Sequence, residues 1–323
     1  MGIILENTEQ PYIAGFWRRS FAFLIDLLIV GLMCIVISGL LGNYIYRFPI
    51  LFTLIGYTFV VAYFAICNSL IYKGHTFGKQ MMSIKVVDLN HQYIPLSKSI
   101  VRAAVLYAPF CLSSLATTPY LWLNTLITII LGCLFFSIIY LFIFNRKNRR
   151  STHDFLSYTT VVKEDVETQP ITSTWKVHFY IVVVAVLLYS LTTVWNSIAD
   201  NNLTLETMKN TQFNGLEHLQ QSYTTVQDIE GNSKSNHSMI AMVNDPEHLN
   251  DPSYARDLAT YLSKQNSKIF SSKDDHYIQM NSNFQFGVLS KLNSTTYKIH
   301  QTNHQIDVEE VGYSRHTTLG GRY

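Results

Sequence analysis

The sequence predicts an all-α transmembrane helical bundle (four helices plus a fifth linking helix), a small cytoplasmic β-hairpin or sheet, and a separate α+β soluble domain. Three observations carry this expectation. Apolar residues gather in five long blocks, and only 14% of residues are charged. Lys and Arg cluster between the blocks rather than within them. Beyond residue 198 the long apolar blocks stop and short alternating patterns take over, as in strands with one wet face.

The first block, Phe21–Leu41, is apolar apart from Asp26. It meets the ~20-residue requirement for a bilayer crossing. Met1–Tyr12 carries no basic n-region and no small-residue cleavage site, so this helix is expected to stay in the mature protein. Met1-Gly2 is not read as a myristoylation start, because Glu6 stands where Ser or Thr is required. Ile50–Tyr72, Ala103–Thr117, Tyr120–Phe144 and Val177–Trp195 follow. The basic clusters at Arg18–Arg19, Lys73–Arg102 and Arg146–Arg150 are placed in the cytoplasm by the positive-inside rule. Two crossings are then expected between Arg102 and Arg146, broken at Thr117-Thr118-Pro119. A third segment lying at the interface beside a re-entrant fourth is the alternative. Trp175 and Trp195 bracket the fifth block as interfacial aromatics do.

Between the second and third blocks, Ser83–Asp88 and Gln92–Leu96 read as a hairpin around Asp88-Leu89-Asn90-His91, with Tyr158–Val162 as a third strand. Asp165–Thr174 reads as a polar linker. In the tail, Thr204–Leu219 has weak helical periodicity. Asp251-Pro252 starts a better helix whose buried face is Tyr254, Leu258, Tyr261 and Leu262. Met239–Val243, Tyr277–Met280, Phe284–Leu289 and Thr296–His300 read as strands. No internal repeat or low-complexity run is apparent. The expected division is 1–165 for the membrane domain, 166–198 for a linker and fifth helix, and 199–323 for an extracytoplasmic α+β domain.

Charge is asymmetric: residues 1–195 hold 14 Lys/Arg against 8 Asp/Glu, and 196–323 hold 10 against 14. No basic stripe suggests nucleic acid as a partner. All four cysteines lie in apolar blocks, so neither a disulfide framework nor zinc spacing can be read. Gly74 and Gly78 lack the Gly-Lys-Ser/Thr of a phosphate loop. The tail holds seven histidines, and His300 and His304 share i, i+4 spacing. They lie in a strand-like stretch without an accompanying carboxylate, so no metal site is assigned. No catalytic constellation or cofactor motif stands out, and an enzyme is not expected.

Three blocks in order resemble the RDD family of prokaryotic membrane proteins, over about residues 12–163. They are Gly15-Phe16-Trp17-Arg18-Arg19-Ser20-Phe21-Ala22-Phe23-Leu24-Ile25-Asp26; Thr76-Phe77-Gly78-Lys79 with Ile84-Lys85-Val86-Val87-Asp88; and Thr152-His153-Asp154-Phe155-Leu156-Ser157 with Val161-Val162. The Arg and two Asp that name the family resemble Arg19 (or its neighbour Arg18), Asp26 and Asp154. Phe77 departs from the Pro of many relatives. The resemblance implies a plasma-membrane protein connected with transport, for some members an exchange of sodium and protons.

Asp26 has two readings. An intramembrane carboxylate marks an ion or proton path, or it anchors a basic residue near the helix mouth. Arg19 is ~10 Å away along the same helix and expected to snorkel outward, so Lys79 or Arg102 is the expected partner. His153-Asp154 is either a proton relay or a turn and cap pair. Arg146–Arg150 reads as an anionic-lipid anchor. Cys34, Cys67, Asn68 and Asn124 are assigned to packing or interhelical hydrogen bonds. Two functions follow: a transporter of monovalent cations or protons, or a membrane anchor whose outer domain, 199–323, meets a membrane or periplasmic partner. Besides the lipid bilayer, a second copy of the chain is a further expected partner.

Overall fold

The computed structural model describes residues 12–117, 121–164, 176–204, 213–227, 233–265, 270, 275–302 and 305–319. The sequence-predicted linker 165–174 and Pro119 lie outside them. Among the described residues four helices are long and apolar enough to cross a membrane: α1 (Phe16–Leu41), α3 (Pro49–Asn68), α6 (Leu121–Phe144) and α8 (Lys176–Thr204). A one-turn helix α2 (Tyr44–Arg47) turns the chain between the first two. Their flanks expose rows of Leu, Ile, Val and Phe, which suits hydrocarbon as the surrounding solvent.

The third block differs from expectation. Helix α5 starts earlier, at Leu96 after Pro95, and stops at Cys111. Its 16 residues rise ~24 Å, short of a ~30 Å hydrocarbon core. A 3-10 turn, Ser113–Thr117, continues it.

Helix directions follow from side-chain contacts. The start of α1, the end of α3, the start of α5 and the end of α6 meet through Arg19, Asn68, Arg102 and Asn145–Asp154. Consecutive segments are therefore antiparallel. Helix α8 runs back along α6, with Tyr140 beside His178 at one end and Thr125 beside Ser197 at the other. All three basic clusters fall at one end of the bundle, the charged end.

Two short helices, α4 (Phe77–Met81) and α7 (Thr152–Leu156), close the charged end. Each leads into a strand, β1 (Ile84–Asp88) and β2 (Thr159–Lys163), and these pair antiparallel. The expected hairpin partner Gln92–Leu96 is not a strand. It turns back so that the Asp88 N–H donates to the Gln92 carbonyl, and Ile94 is buried under the sheet. Ile13 bridges to Val162 on the other edge of β2.

A repeat invisible to composition now appears, which corrects the sequence reading. Moving along the chain by 75 residues carries Thr76 onto Ser151, α4 onto α7 and β1 onto β2. It also carries Ser83 onto Tyr158, both with positive φ. Val86 pairs with Val161, its own counterpart, so the two strands meet about a two-fold axis. Each short helix packs on the first long helix of its half, α4 on α1 and α7 on α5.

The C-terminal part is α+β, as expected. Five strands, β3 (Leu216–Gln227), β4 (Ser233–Val243), β5 (Asp275–Phe286), β6 (Leu289–Thr302) and β7 (Gln305–Leu319), form one sheet in chain order. Only β4 and β5 are parallel, and the connection between them carries α9 (Pro252–Gln265). Asp251 caps α9 through the Ser253 N–H at 2.9 Å. Tyr254, Leu258 and Leu262 bury against Met239, Ile278, Met280 and Tyr297. Leu216–Leu219 begins a strand rather than ending a helix. Phe284–Leu289 is not a single strand but the turn of the β5–β6 hairpin, at Gly287 with φ 58°.

Candidate functional site

The charged end holds Arg19, Asp26, Lys79, Arg102, His153 and Asp154, with Arg19 and Asp26 partnered otherwise than expected. Asp154 is the third residue of α7 and fully buried. Its carboxylate accepts Arg19 Nη2 at 3.0 Å, Arg102 Nη2 at 2.9 Å and Arg102 Nε at 3.1 Å. It also accepts the Ser151 backbone N–H at 3.2 Å and Thr159 Oγ1 at 3.3 Å. Burial alone would raise its pKa. His153, Arg102 and Arg19 outweigh burial and hold it well below the usual carboxylate range. Two guanidinium groups on different helices thus clamp one carboxylate in a site where charge is tolerated only when paired.

Arg19 does not snorkel. It is buried, donates to the Arg149 carbonyl as well as to Asp154, and lies 5.2 Å from the Phe142 ring centre. In the run Arg146–Arg150 only Arg146 and Lys147 are exposed. Arg150 turns inward to the carbonyls of Thr159 and Asp154. Half of this lipid-anchor run is therefore internal structure.

Among the described residues Asp26 pairs directly with no cation, contrary to the expected Lys79 or Arg102 pair. Its Oδ1 accepts the Gly78 N–H at 2.8 Å and its Oδ2 accepts the Thr76 hydroxyl. Thr76 is the N-cap of α4 and in turn accepts the Lys79 N–H at 3.3 Å. The carboxylate thus sits at a helix N-terminus, where N–H groups and the helix dipole favour an anion. Gly78 is what permits this: a Cβ there would lie 2.2 Å from the Ala22 carbonyl oxygen and 2.9 Å from Asp26 Oδ1.

Lys79 reaches Asn68 Oδ1 at 2.6 Å, and Asn68 donates onward to the Phe64 carbonyl at 2.7 Å. Burial first, then repulsion from Arg102, lowers the Lys79 pKa to about 7, although Asp26 pulls the other way. His153 is lowered to about 3, chiefly by burial, so it is neutral at physiological pH. Of the two readings for His153-Asp154, the cap is the one built here. Asn68, Thr76 and Ser151 escaped the sequence reading as site residues, although Ser151-Thr152-His153-Asp154 carries the spacing of a capping box.

A second junction lies at the opposite end. The β5–β6 turn enters the bundle between α1, α3 and α5, and Phe284, Phe286, Val288 and Leu289 share a core with Val30, Cys34, Val60 and Tyr107. Gln285 fastens it. Its Nε2 donates to the Phe110 carbonyl at 2.6 Å, and its Oε1 accepts the Ser114 N–H at 2.8 Å. Thr53 Oγ1 donates to the Gln285 carbonyl at 3.2 Å. The turn occupies the depth that the short α5 leaves unfilled.

In the tail, His300 faces Glu309 at 3.3 Å, and His304 lies outside the described residues. Among the described residues no group of three or more His, Cys, Asp or Glu could hold a metal ion.

Apolar antiparallel helices closed at one end by a buried ion cluster define a helical membrane protein. Residues 13–158, rather less than half of the chain, match the model of the RDD family. No family model matches beyond it, and no curated protein or solved structure matches the chain.

Proposed function

We propose that this protein is a membrane scaffold, in which the RDD domain anchors the C-terminal β-domain at the non-cytoplasmic face for a partner complex. The inserted β5–β6 turn carries this reading, because its aromatic and Gln285 contacts make bundle and sheet one packed unit. The positive-inside rule supports a cytoplasmic charged end and five crossings, α5 completing its passage through the 3-10 turn. A plasma (inner) membrane location and an association with a second copy belong to the same proposal. Both motif carboxylates are satisfied by protein groups, which supports a structural task for them.

Transport of monovalent cations or protons is the second reading. It is favoured by the two-fold repeat, since transporters place their sites between repeats, and by Lys79 and Asp26 lying there together. Ion flux in proteoliposomes separates the two. Scaffolding predicts no flux in the folded protein and specific partners captured by the full chain. Flux that disappears in Asp26→Asn overturns it in favour of transport.

A further inference from the structure

Helix α5 stops at Cys111, and the reason lies in a distant part of the chain. In a continuous α-helix the Phe110 carbonyl would accept from the Ser114 N–H, four residues on. Here the side-chain amide of Gln285 stands between the two groups. Its Nε2 donates to the Phe110 carbonyl at 2.6 Å, and the Ser114 N–H donates to its Oε1 at 2.8 Å. Ser113 Oγ donates to the same Oε1 at 3.3 Å. A side chain inserted into the helical ladder is one of the few causes of a sharp break. Beyond it the backbone tightens into the 3-10 turn Ser113–Thr117.

The other half of the repeat shows the same stretch of helix without an insertion. Moving back by 75 residues takes Phe110, Ser113 and Ser114 to Ile35, Ser38 and Gly39, all inside the unbroken α1. There Ser38 Oγ donates to the Ile35 carbonyl at 2.9 Å. Helix α1 ends at Leu41, the counterpart of Ala116. An α5 continued to Ala116 would rise ~31 Å and span the hydrocarbon core, which its present ~24 Å does not.

In an apolar bundle each backbone group must keep a protein partner, because no water replaces it. When Gln285 withdraws, the partner within reach of Phe110 and Ser114 is each other. We infer that a seated β5–β6 turn and a continuous α5 are alternatives. Seated, Gln285 splits the ladder and α5 stops short. Withdrawn, the Ser114 N–H donates to the Phe110 carbonyl and α5 continues through the 3-10 turn. Both arrangements satisfy the same backbone groups, so the exchange runs between two discrete states. Helix α5 also carries Arg102, so a pull on the sheet reaches the clamp on Asp154 through one helix. The scaffold reading needs only the seated state, and this exchange goes beyond it.

The test is hydrogen–deuterium exchange of the full chain in lipid nanodiscs, read over peptides covering 108–117. Thiol labelling of Cys34 reports whether the turn is seated. Cys67, Cys111 and Cys133 are replaced by alanine throughout, and thermal melts establish that each variant is folded. Gln285→Leu keeps the bulk of the side chain but removes the amide. Its Cys34 labelling should rise about threefold or more, and exchange over 112–117 should slow about fivefold as these amides join α5. Gly56→Val, which leaves no room for Gly287, should do the same with Gln285 intact. Arg256→Ala, at an exposed pair with Asp307, should change neither reading. Labelling that rises while exchange is unchanged or faster overturns the inference, since α5 then does not take up the freed groups. Slower exchange with Cys34 still protected overturns it too, because the helix would then continue beside a seated turn. So does a folded Gln285→Leu protein that matches its parent in both readings.

Discussion

Arg19 and Asp154, 135 residues apart, meet at 3.0 Å in the interior of the charged end. The pair joins the first turn of α1 to α7, and Arg102 ties α5 to the same carboxylate. Three distant chain segments thus depend on one side chain.

Asp154→Asn removes the charge that two buried guanidinium groups share. Breaking such a pair from one side costs ~3–5 kcal/mol, so the variant should unfold in detergent at markedly lower denaturant or temperature. A loss below ~1 kcal/mol would show that water already screens the cluster.

Asp26 should respond differently. In Asp26→Asn the amide oxygen can still take the Gly78 N–H, and the amide N–H can donate to Thr76, so stability should change little. Asp26→Leu leaves the Gly78 N–H and Thr76 hydroxyl buried without their acceptor, at ~1.5–3 kcal/mol by the worth of hydrogen bonds to charged groups. Equal melting of the two variants would contradict the capping role.

The Lys79 amine titrates lower in the folded protein than when unfolded, from 10.5 to about 7. Between those values the unfolded chain binds the extra proton, so stability rises with pH through that window and is penalised below it. Lys79→Met should flatten this slope. Melting temperatures at pH 7 and pH 10 test it: parallel changes in both proteins would refute the burial of the amine.

Gly56 has room for no side chain, since a Cβ would lie 2.1 Å from the Gly287 nitrogen. Gly56→Val should expel the β5–β6 turn and open Cys34, now buried, to a thiol reagent. With the other three cysteines replaced by alanine, labelling should rise several-fold over the parent. The side from which an impermeant reagent works reports the orientation. Equal protection in both proteins would mean that the turn is not seated in the bundle.

Much of the fold was legible from residues 1–163 because hydrocarbon demands long apolar helices and leaves charges at their ends. The expectation that Asp26, Asp154 and Arg102 or Lys79 gather at one end followed from the same reasoning, whereas Arg19, expected to snorkel, turns inward to Asp154. Their pairing was not legible. Periodicity gives the face of a helix but not which neighbour it meets, so Asp26 was given a cation when the neighbouring backbone of α4 already supplied donors. The partner of β1 was misplaced because Gln92–Ile94 alternates like a strand, whereas the true partner, Thr159–Lys163, lies 75 residues on. The hairpin in the bundle was hidden in sequence: from Met280 to Phe286 burial in β5 stops alternating, yet Asn281, Ser282 and Gln285 are polar and no continuous apolar run marks the segment.

Val86 and Val161 face each other as equivalent residues do across an isologous contact between two copies, here within one chain. The shift that carries one valine onto the other carries Lys79 onto Asp154 and Asp26 onto the residue before Arg102. Backbone symmetry is therefore broken by charge: Asp154 takes Arg102 from its own half and Arg19 from the other, and the position equivalent to it is a cation.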